Sequence, residues 1–560
     1  MTSKASIQSY LNQAYLLGLL MVAVGLTLSP FLMGMSQFWL VIVWVLEGFC
    51  TKTFKNKFHC FWHNKAAVLL VAFYLMHVIS LLWTSDFQYA LKDLRVKLPI
   101  LVMPFVLSSM EPLDRKRFDF VMLVYVLSVF VATQFSFVTY LRHDYDDIRE
   151  ISRFISHIRF CLNIVFCIAI IIWYIVTTKV PEPSVPELVE GVEGPTHKKG
   201  RLSVPDFTVK FVLNRFLQYF LLFWFIYQIY IFESLSGYVI LAAVAIVSVV
   251  YAFLRWQKGR GWRIAIAGLA LAVAVTGFLV VWHEMKPLLK VEPVDFAALE
   301  KKTAQGNDYW HDTIHNPIED GKYVGLYYCR KELQETWPLR SDRAFGGSTE
   351  SGENLEATLA RYLTSKGLRK DAEGVMALTD EDIHNIENGV VNYNNWRHPG
   401  LRARLSSTLF EYNLYRRSGN PNGGSLAQRI EYTRASFHLI GQHPWLGVGT
   451  GDVPQAFAQA YDDIHSPLKD EFRFRAHNQY LAIAVAFGLL GLAFFLFVLL
   501  FPWLSSRRNH TYLYIAFLCI MLLSMFPEDT LETQAGVTFF AFFEALLLFA
   551  MPQKRVDVHQ

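Results

Sequence analysis

The chain has 560 residues, of which 53% are hydrophobic and 15% aromatic, while only 18% carry a charge. A soluble protein of this size does not need so much apolar surface, so composition selects a membrane protein and excludes an ordinary soluble enzyme. The net charge of +4 is accounted for by basic connections on one face of the membrane and does not argue for nucleic acid.

The apolar residues gather into runs of about 17 to 25, the length at which a helix crosses a hydrocarbon core. They predict about twelve spans, at approximately 12–29, 31–50, 66–83, 95–110, 118–140, 154–178, 209–232, 235–254, 262–282, 476–501, 510–526 and 534–551. The first, "AYLLGLLMVAVGLTLSP", has no small-x-small cleavage site and leads directly into the second, so it is read as a retained span. Basic residues follow the even-numbered spans: Lys52, Lys55, Lys57 and Lys65; Arg115, Lys116 and Arg117; Lys198, Lys199 and Arg201; Arg255, Lys258, Arg260 and Arg263; Arg507 and Arg508; Lys554 and Arg555. That bias places both termini in the cytoplasm. The Pro- and Glu-rich stretch "KVPEPSVPELVEGVEGPTHKKGRLSVPD" after the sixth span reads as a flexible linker.

Two segments depart from the alternation of span and short connection. Arg159 lies inside the apolar run "ISHIRFCLNIVFCIAI", where a charge is costly unless it faces the bundle interior, pairs with an anion or snorkels outward. Residues 283–475 are polar and fall outside the cytoplasm by the same parity. The chain thus divides into a membrane domain of residues 1–282, an external domain of residues 283–475 and a second membrane domain of residues 476–560. The stretches "GENLEATLARYLTSKGLRKDAEG", "TDEDIHNIENGVVNYN" and "SLAQRIEYTRASFHLIGQ" show helical spacing, so the fold expected is all-α, with a mainly helical external domain. "NDYWHDTIHNPIEDGKYVGLYYCR" is less regular. In it His311 and His315 stand at i and i+4, a metal-ligand spacing if helical, but no carboxylate or thiol completes a signature, and surface histidines are the plainer reading. Cys329 has no external partner, so this domain closes no internal disulfide. "HPWLGVGTGD" lacks the Lys-Ser/Thr of a phosphate loop and reads as a tight glycine turn.

Chemistry concentrates where the external domain meets the tenth span. Arg402, Arg404, Arg429, Arg434, Arg473 and Arg475 precede it, and several guanidiniums beside a membrane mouth suit a diphosphate, because the planar fork matches phosphate oxygens. In "RFRAHNQYLAIAVAFGLLGL", Gly488 and Gly491 follow His477 by eleven and fourteen residues, which on a continuous helix brings all three within roughly 40° of one stripe. On that geometry the glycines admit another helix or a lipid tail. The carboxylates Asp86, Glu528, Asp529 and Glu532 sit in short external loops; solvated loop charge is their default, with an acceptor or a partner arginine at Pro527 as the alternative.

"HNQYLAIAVAFGLLG" resembles the signature of the O-antigen ligase and Wzy-type polymerase superfamily, His-[Asn/Ser/Gln], nine residues, Gly, two residues, Gly, with His477, Asn478, Gly488 and Gly491 in the matching places. "RIEYTRASFHLIGQHPWLGVGTGD" is similar to the family's Arg-rich helix and Pro-x-x-Gly-x-Gly turn, and "EDTLETQAGVTFFAFF" to the last-span signature of ligase-like members from Bacteroidota-type bacteria. Leu492 stands where some members carry Thr, and "ESLSGY" lacks the Ser-Arg common at the start of a middle span. The resemblance implies a GT-C-type glycosyltransferase of the bacterial inner membrane that takes glycan from an undecaprenyl-diphosphate carrier without metal, nucleotide or other cofactor. It implies His477 as general base on the acceptor hydroxyl, with Arg159 and one or more of Arg404, Arg429, Arg434 and Arg475 on the diphosphate and Asn478 beside them. The partners implied are the lipid-linked donor, a lipid A-core or other surface acceptor, and membrane lipids. A ligase and a polymerase share motif and topology, with the long external domain on the ligase side and transfer to a protein hydroxyl as a variant. A transporter would need an internal repeat with broken helices, and the sequence shows no repeated block.

Overall fold

The computed structural model describes residues 4–142, 148–177, 208, 211–212, 214–255, 260–422, 424–506 and 509–552. It is mainly helical, with one two-stranded antiparallel sheet, Ile318–Glu319 against Lys322–Tyr323, among the described residues. Seven helices are long and apolar enough to cross a membrane: Ile7–Leu28, Pro30–Thr51, Lys65–Leu82, Arg115–Arg142, His157–Thr177, Leu235–Leu254 and Gln479–Ser505. Helices also stand at the five other expected places, as Phe87–Leu107, Arg215–Ile231, Arg260–Leu289, Tyr512–Ser524 and Gln534–Ala545, the last continued by a π-turn to Ala550. The Pro- and Glu-rich linker lies outside the described residues.

Local chemistry sets where these helices begin. Ser29 accepts a hydrogen bond from Leu32 N, with Pro30 fixing the first turn; Asn64, Asp86, Asn214 and Thr533 cap their helices in the same way. The fourth helix starts at Phe87, earlier than expected, because Asp86 caps it and its charged first turns carry Asp93 and Lys97. Hydropathy alone therefore registered only its second half. Helix Phe54–His63, polar on one side, was not anticipated; its Lys57 is buried against Glu47 and the Trp44 ring.

The residues of 283–475 divide between two cores. Leu333, Trp337, Leu355, Leu359, Tyr362, Leu363, Val375 and Ile386 form a small core of their own. Tyr432, Ala435, Leu439, Phe457, Ala460 and Tyr461 instead belong to the same continuous core as the apolar helices. The irregular stretch around residues 310–328 is held by short bridges such as Trp310 to Tyr328, not by a helix, so His311 and His315 lose their i, i+4 relation. Each bonds a backbone carbonyl instead, Glu300 O and Arg417 O.

The tenth apolar helix is broken. Gly488 sits at φ 67°, ψ −172° inside Gln479–Ser505, a conformation open essentially to glycine. The glycine turn 443–449 enters the break: Val448 N donates to Val485 O at 2.9 Å, Gly449 N to Ala486 O at 2.9 Å, and Leu489 N to Pro444 O at 2.7 Å. A Cβ on Gly488 would collide with the backbone of Trp445, and one on Gly447 with that of Ala486. This corrects the expectation of one continuous stripe. His477 lies before the helix start in the left-handed region at φ 44°. The space at Gly488 holds the chain's own turn, not a lipid tail, and Gly491 packs beside Phe487 and Met76.

Candidate functional site

The site is assembled from the first turn of helix His157–Thr177, the residues just before helix Gln479–Ser505, helix Ser425–Gln442 and the loop 525–533. Asn478 caps the tenth helix by accepting from Leu481 N and donates through Nδ2 to Phe526 O at 2.9 Å. Its amide is thus committed to backbone, and it serves the site by tying the helix start to the acidic loop. The residue before it, His477, is left to project into the site, its ring stacked on Tyr432 at 5.4 Å between centroids and edge-on to Phe474. A non-glycine residue with positive φ is uncommon, and such strain persists where the surroundings enforce it.

A cavity of about 620 Å³ brings together Arg159, Arg473, Arg475, His477, Glu528, Asp529 and Glu532. Its carboxylates lie among guanidiniums. Glu528 Oε1 accepts from Arg429 Nη2 at 2.9 Å, while its Oε2 stands 4.0 Å from Arg159 Nη2. Asp529 lies 3.9 Å from Arg159 Nη2 through Oδ1 and 3.6 Å from Arg475 Nε through Oδ2. His477 Nδ1 is 3.9 Å from both carboxylates. Two buried atoms, Arg159 Nε and His477 Nδ1, have no hydrogen-bond partner.

Behind this group sits a second, fully paired one. Glu532 accepts from Lys97 Nζ at 2.8 Å, Arg475 Nη1 at 3.0 Å and Gln479 Nε2 at 3.1 Å, and Lys97 also bonds Asp93 at 2.6 Å. Such a buried carboxylate is tolerable because both its oxygens accept hydrogen bonds, two of them from cations. Burial pushes its carboxyl up, but Lys97 and Arg475 outweigh that and hold it well below the usual carboxylate range. For Glu528 burial acts upward as well, and His477, Arg429 and Arg159 bring the net shift downward. Asp529 goes the other way. Burial, with Glu532 and Glu528 nearby, raises its carboxyl despite Arg475 and His477.

A larger cavity of about 780 Å³ lies on the other side of the Arg429–Glu528 pair. Its walls combine apolar side chains, among them Phe232, Leu235, Val239 and Phe526, with the polar Asn395, Ser407, Thr408, Arg404 and Arg429. Arg404 therefore stands in this second cavity, apart from His477. Arg434 is in neither: it pairs at 2.7 Å with the buried Glu431 and is half exposed.

His477, Glu528 and Asp529 offer ligand atoms within 4.8 Å of one another, the spacing of a cation site. The donor set does not fit one, because both carboxylates already face guanidiniums whose charge opposes a cation. Sequence reasoning marked His477, Arg159, Arg429 and Arg475, and it named Glu528, Asp529 and Glu532 only as loop charges with a second reading. It missed Tyr432, Asp93 and Lys97. The signal available for the last two was a pair of opposite charges at i, i+4 at the head of a span.

No curated protein matches the chain. A family model described as O-antigen ligase matches residues 391–496, the segment that runs from the second cavity's wall through Arg429 and the glycine turn to His477 and Gly491. Over that segment the chain is similar to the O-antigen ligase family.

Proposed function

We propose that the protein is an O-antigen ligase-like glycosyltransferase. It moves a glycan from an undecaprenyl-diphosphate carrier to a hydroxyl of a surface-lipid acceptor, lipid A-core or a comparable molecule. The reaction takes place at the periplasmic face of a bacterial inner membrane, with both termini in the cytoplasm and residues 283–475 outside. The family match supports ligase or polymerase chemistry in general. The observation that carries the finer reading is the convergence of Arg159, Arg429 and Arg475 on the acidic pair beside His477.

In this reading the acceptor hydroxyl donates to His477 Nε2 and its oxygen attacks the anomeric carbon from the face opposite the diphosphate. The bond between that carbon and the diphosphate oxygen breaks, and configuration inverts. The proton ends on the imidazole and the charge on the departing diphosphate. Guanidiniums stabilise that charge, and a base in hydrogen-bond reach contributes about 10²–10⁴ in rate. No step needs a metal, since arginines supply the electrostatic stabilisation. The second cavity, lined by both apolar side chains and arginines, offers surface of both kinds that a lipid-linked glycan presents.

A deletion strain tests the reading. Loss of long glycan from the surface lipid, with carrier-linked polymer accumulating, is the expected result. Surface lipid bearing a single repeat identifies a polymerase instead, and loss of a glycoprotein alone identifies a protein acceptor.

A further inference from the structure

We propose that Glu528 and Asp529 are resident counter-ions of the diphosphate site. In the substrate-free protein they lie where the donor's two phosphates go, and the donor enters by exchange with them, which turns the Glu528 carboxylate from Arg429 onto Nδ1 of His477. The inference rests on the reading of the arginines as diphosphate ligands.

Each carboxylate bridges two guanidiniums, Glu528 between Arg429 and Arg159, and Asp529 between Arg159 and Arg475. A diphosphate is likewise two adjacent anionic groups, joined through one oxygen, and it meets the same three forks. Both pairs of anions cannot share these faces: two carboxylates and a diphosphate would set at least four negative charges against three positive ones in a poorly solvated site.

The contact lengths show which end of the loop can leave. Glu532 is held by three direct bonds, and Leu531 N donates to Gln479 Oε1 at 2.6 Å. Apart from the Arg429–Glu528 bond, the contacts of Glu528 and Asp529 with Arg159, Arg475 and His477 run from 3.6 to 4.0 Å, ion-pair range without a direct hydrogen bond. The loop is pinned at one end and held mainly by charge at the other. His477 Nδ1 and Arg159 Nε stay buried and unpaired in this arrangement. Exchange satisfies both: a phosphate oxygen reaches Arg159, and a freed carboxylate accepts from Nδ1–H, which leaves Nε2 as the base. His477 is then set for proton abstraction only when donor is present, so Glu528 is a positioning residue. The raised carboxyl of Asp529 agrees with a group held in place at a cost.

The test uses the purified full-length protein and undecaprenyl diphosphate without glycan as probe. Glu528→Gln and Asp529→Asn should bind it about tenfold tighter than wild type, as removal of a competing state raises apparent affinity. Glu528→Gln should also lower both KM for the glycan-bearing donor and kcat, while Glu528→Asp behaves as wild type. If Glu528 merely props up Arg429, Glu528→Gln binds the probe more weakly; weaker or unchanged binding in both neutral variants overturns the exchange. Arg159→Ala and Arg475→Ala separate the two ideas: wild-type affinity in both removes the diphosphate reading and the exchange with it. Affinity lost in these variants but unchanged in Glu528→Gln and Asp529→Asn removes the exchange alone. Gel filtration of each variant identifies any that has failed to fold.

Discussion

Residues 283–475 contain two regions that stand in opposite relations to the apolar helices. Residues 333–386 bury Trp337, Tyr362 and their neighbours in a core they share with no apolar span. Residues 432–468 have no such core; Tyr432, Phe457 and Tyr461 are part of the one that runs through the bundle. The matched family segment, 391–496, excludes the first region and contains the second. The difference teaches where chemistry is coupled to architecture: the side chains that set His477 and the arginines are packed by the same core that holds the apolar helices together, whereas the 333–386 unit is packed by a core of its own.

The comparison can be broken most directly at His477. His477→Ala should lower transfer by about 10²–10⁴, measured with purified enzyme and lipid-linked donor, while the melting temperature stays near that of wild type. Activity equal to wild type removes the base assignment. In the outer unit the expected pattern is reversed. Trp337 is fully buried, and Trp337→Ala should destabilise that unit by about 3–5 kcal/mol, visible as earlier proteolysis within 333–386, with transfer retained. Transfer lost in proportion to this unfolding would join the two regions into one functional unit.

Gly488→Ala lies on the coupled side. Its positive φ alone costs about 1–3 kcal/mol, and the collision with Trp445 adds to this, so both thermal stability and transfer should fall together. A variant with lower stability and full transfer would show that the inserted turn does not set the site.

The smallest effect concerns pH in the outer unit. Lys370 is buried, its ammonium bonded to Leu326 O, and burial, with Lys322 adding, lowers it to about 7. Its folded value lies below its unfolded one, so above pH 7 the unfolded chain binds a proton that the folded chain does not. Stability therefore rises with pH between about 7 and 10, by at most about 1.4 kcal/mol per pH unit, and levels off below. Melting curves of wild type and Lys370→Met across that range check it, since the variant should lack the rise.

Much of this was legible from residues. Apolar runs marked a helix at each of the twelve expected places, though not helix Phe54–His63, and the acidic loop after the eleventh run was visible in "PEDTLET". His477 was legible because a motif names it, and the tight turn because three glycines at alternate positions have few other uses. What escaped was tertiary. No periodicity signals that a second segment's backbone enters a helix at Gly488, since the interruption is made by Pro444 O, Val448 N and Gly449 N and not by a change in side-chain pattern. The split of 283–475 into two cores was hidden for a related reason: "SLAQRIEYTRASFHLIGQ" has the spacing of any amphipathic helix, and spacing does not say which core the apolar face joins.

The break at Gly488 has a consequence for how the chain is made. A helix interrupted within hydrocarbon exposes amide groups that lipid cannot satisfy, and here the partners come from residues 443–449, which leave the ribosome before the span they complete. The turn must therefore be in place when the broken helix forms, and that helix closes its hydrogen bonds only by meeting it. Biogenesis acquires an obligatory order of events, in which placing of the turn precedes completion of the helix that follows. A chain whose turn is delayed would leave the amides at the break without partners, and so open to quality control.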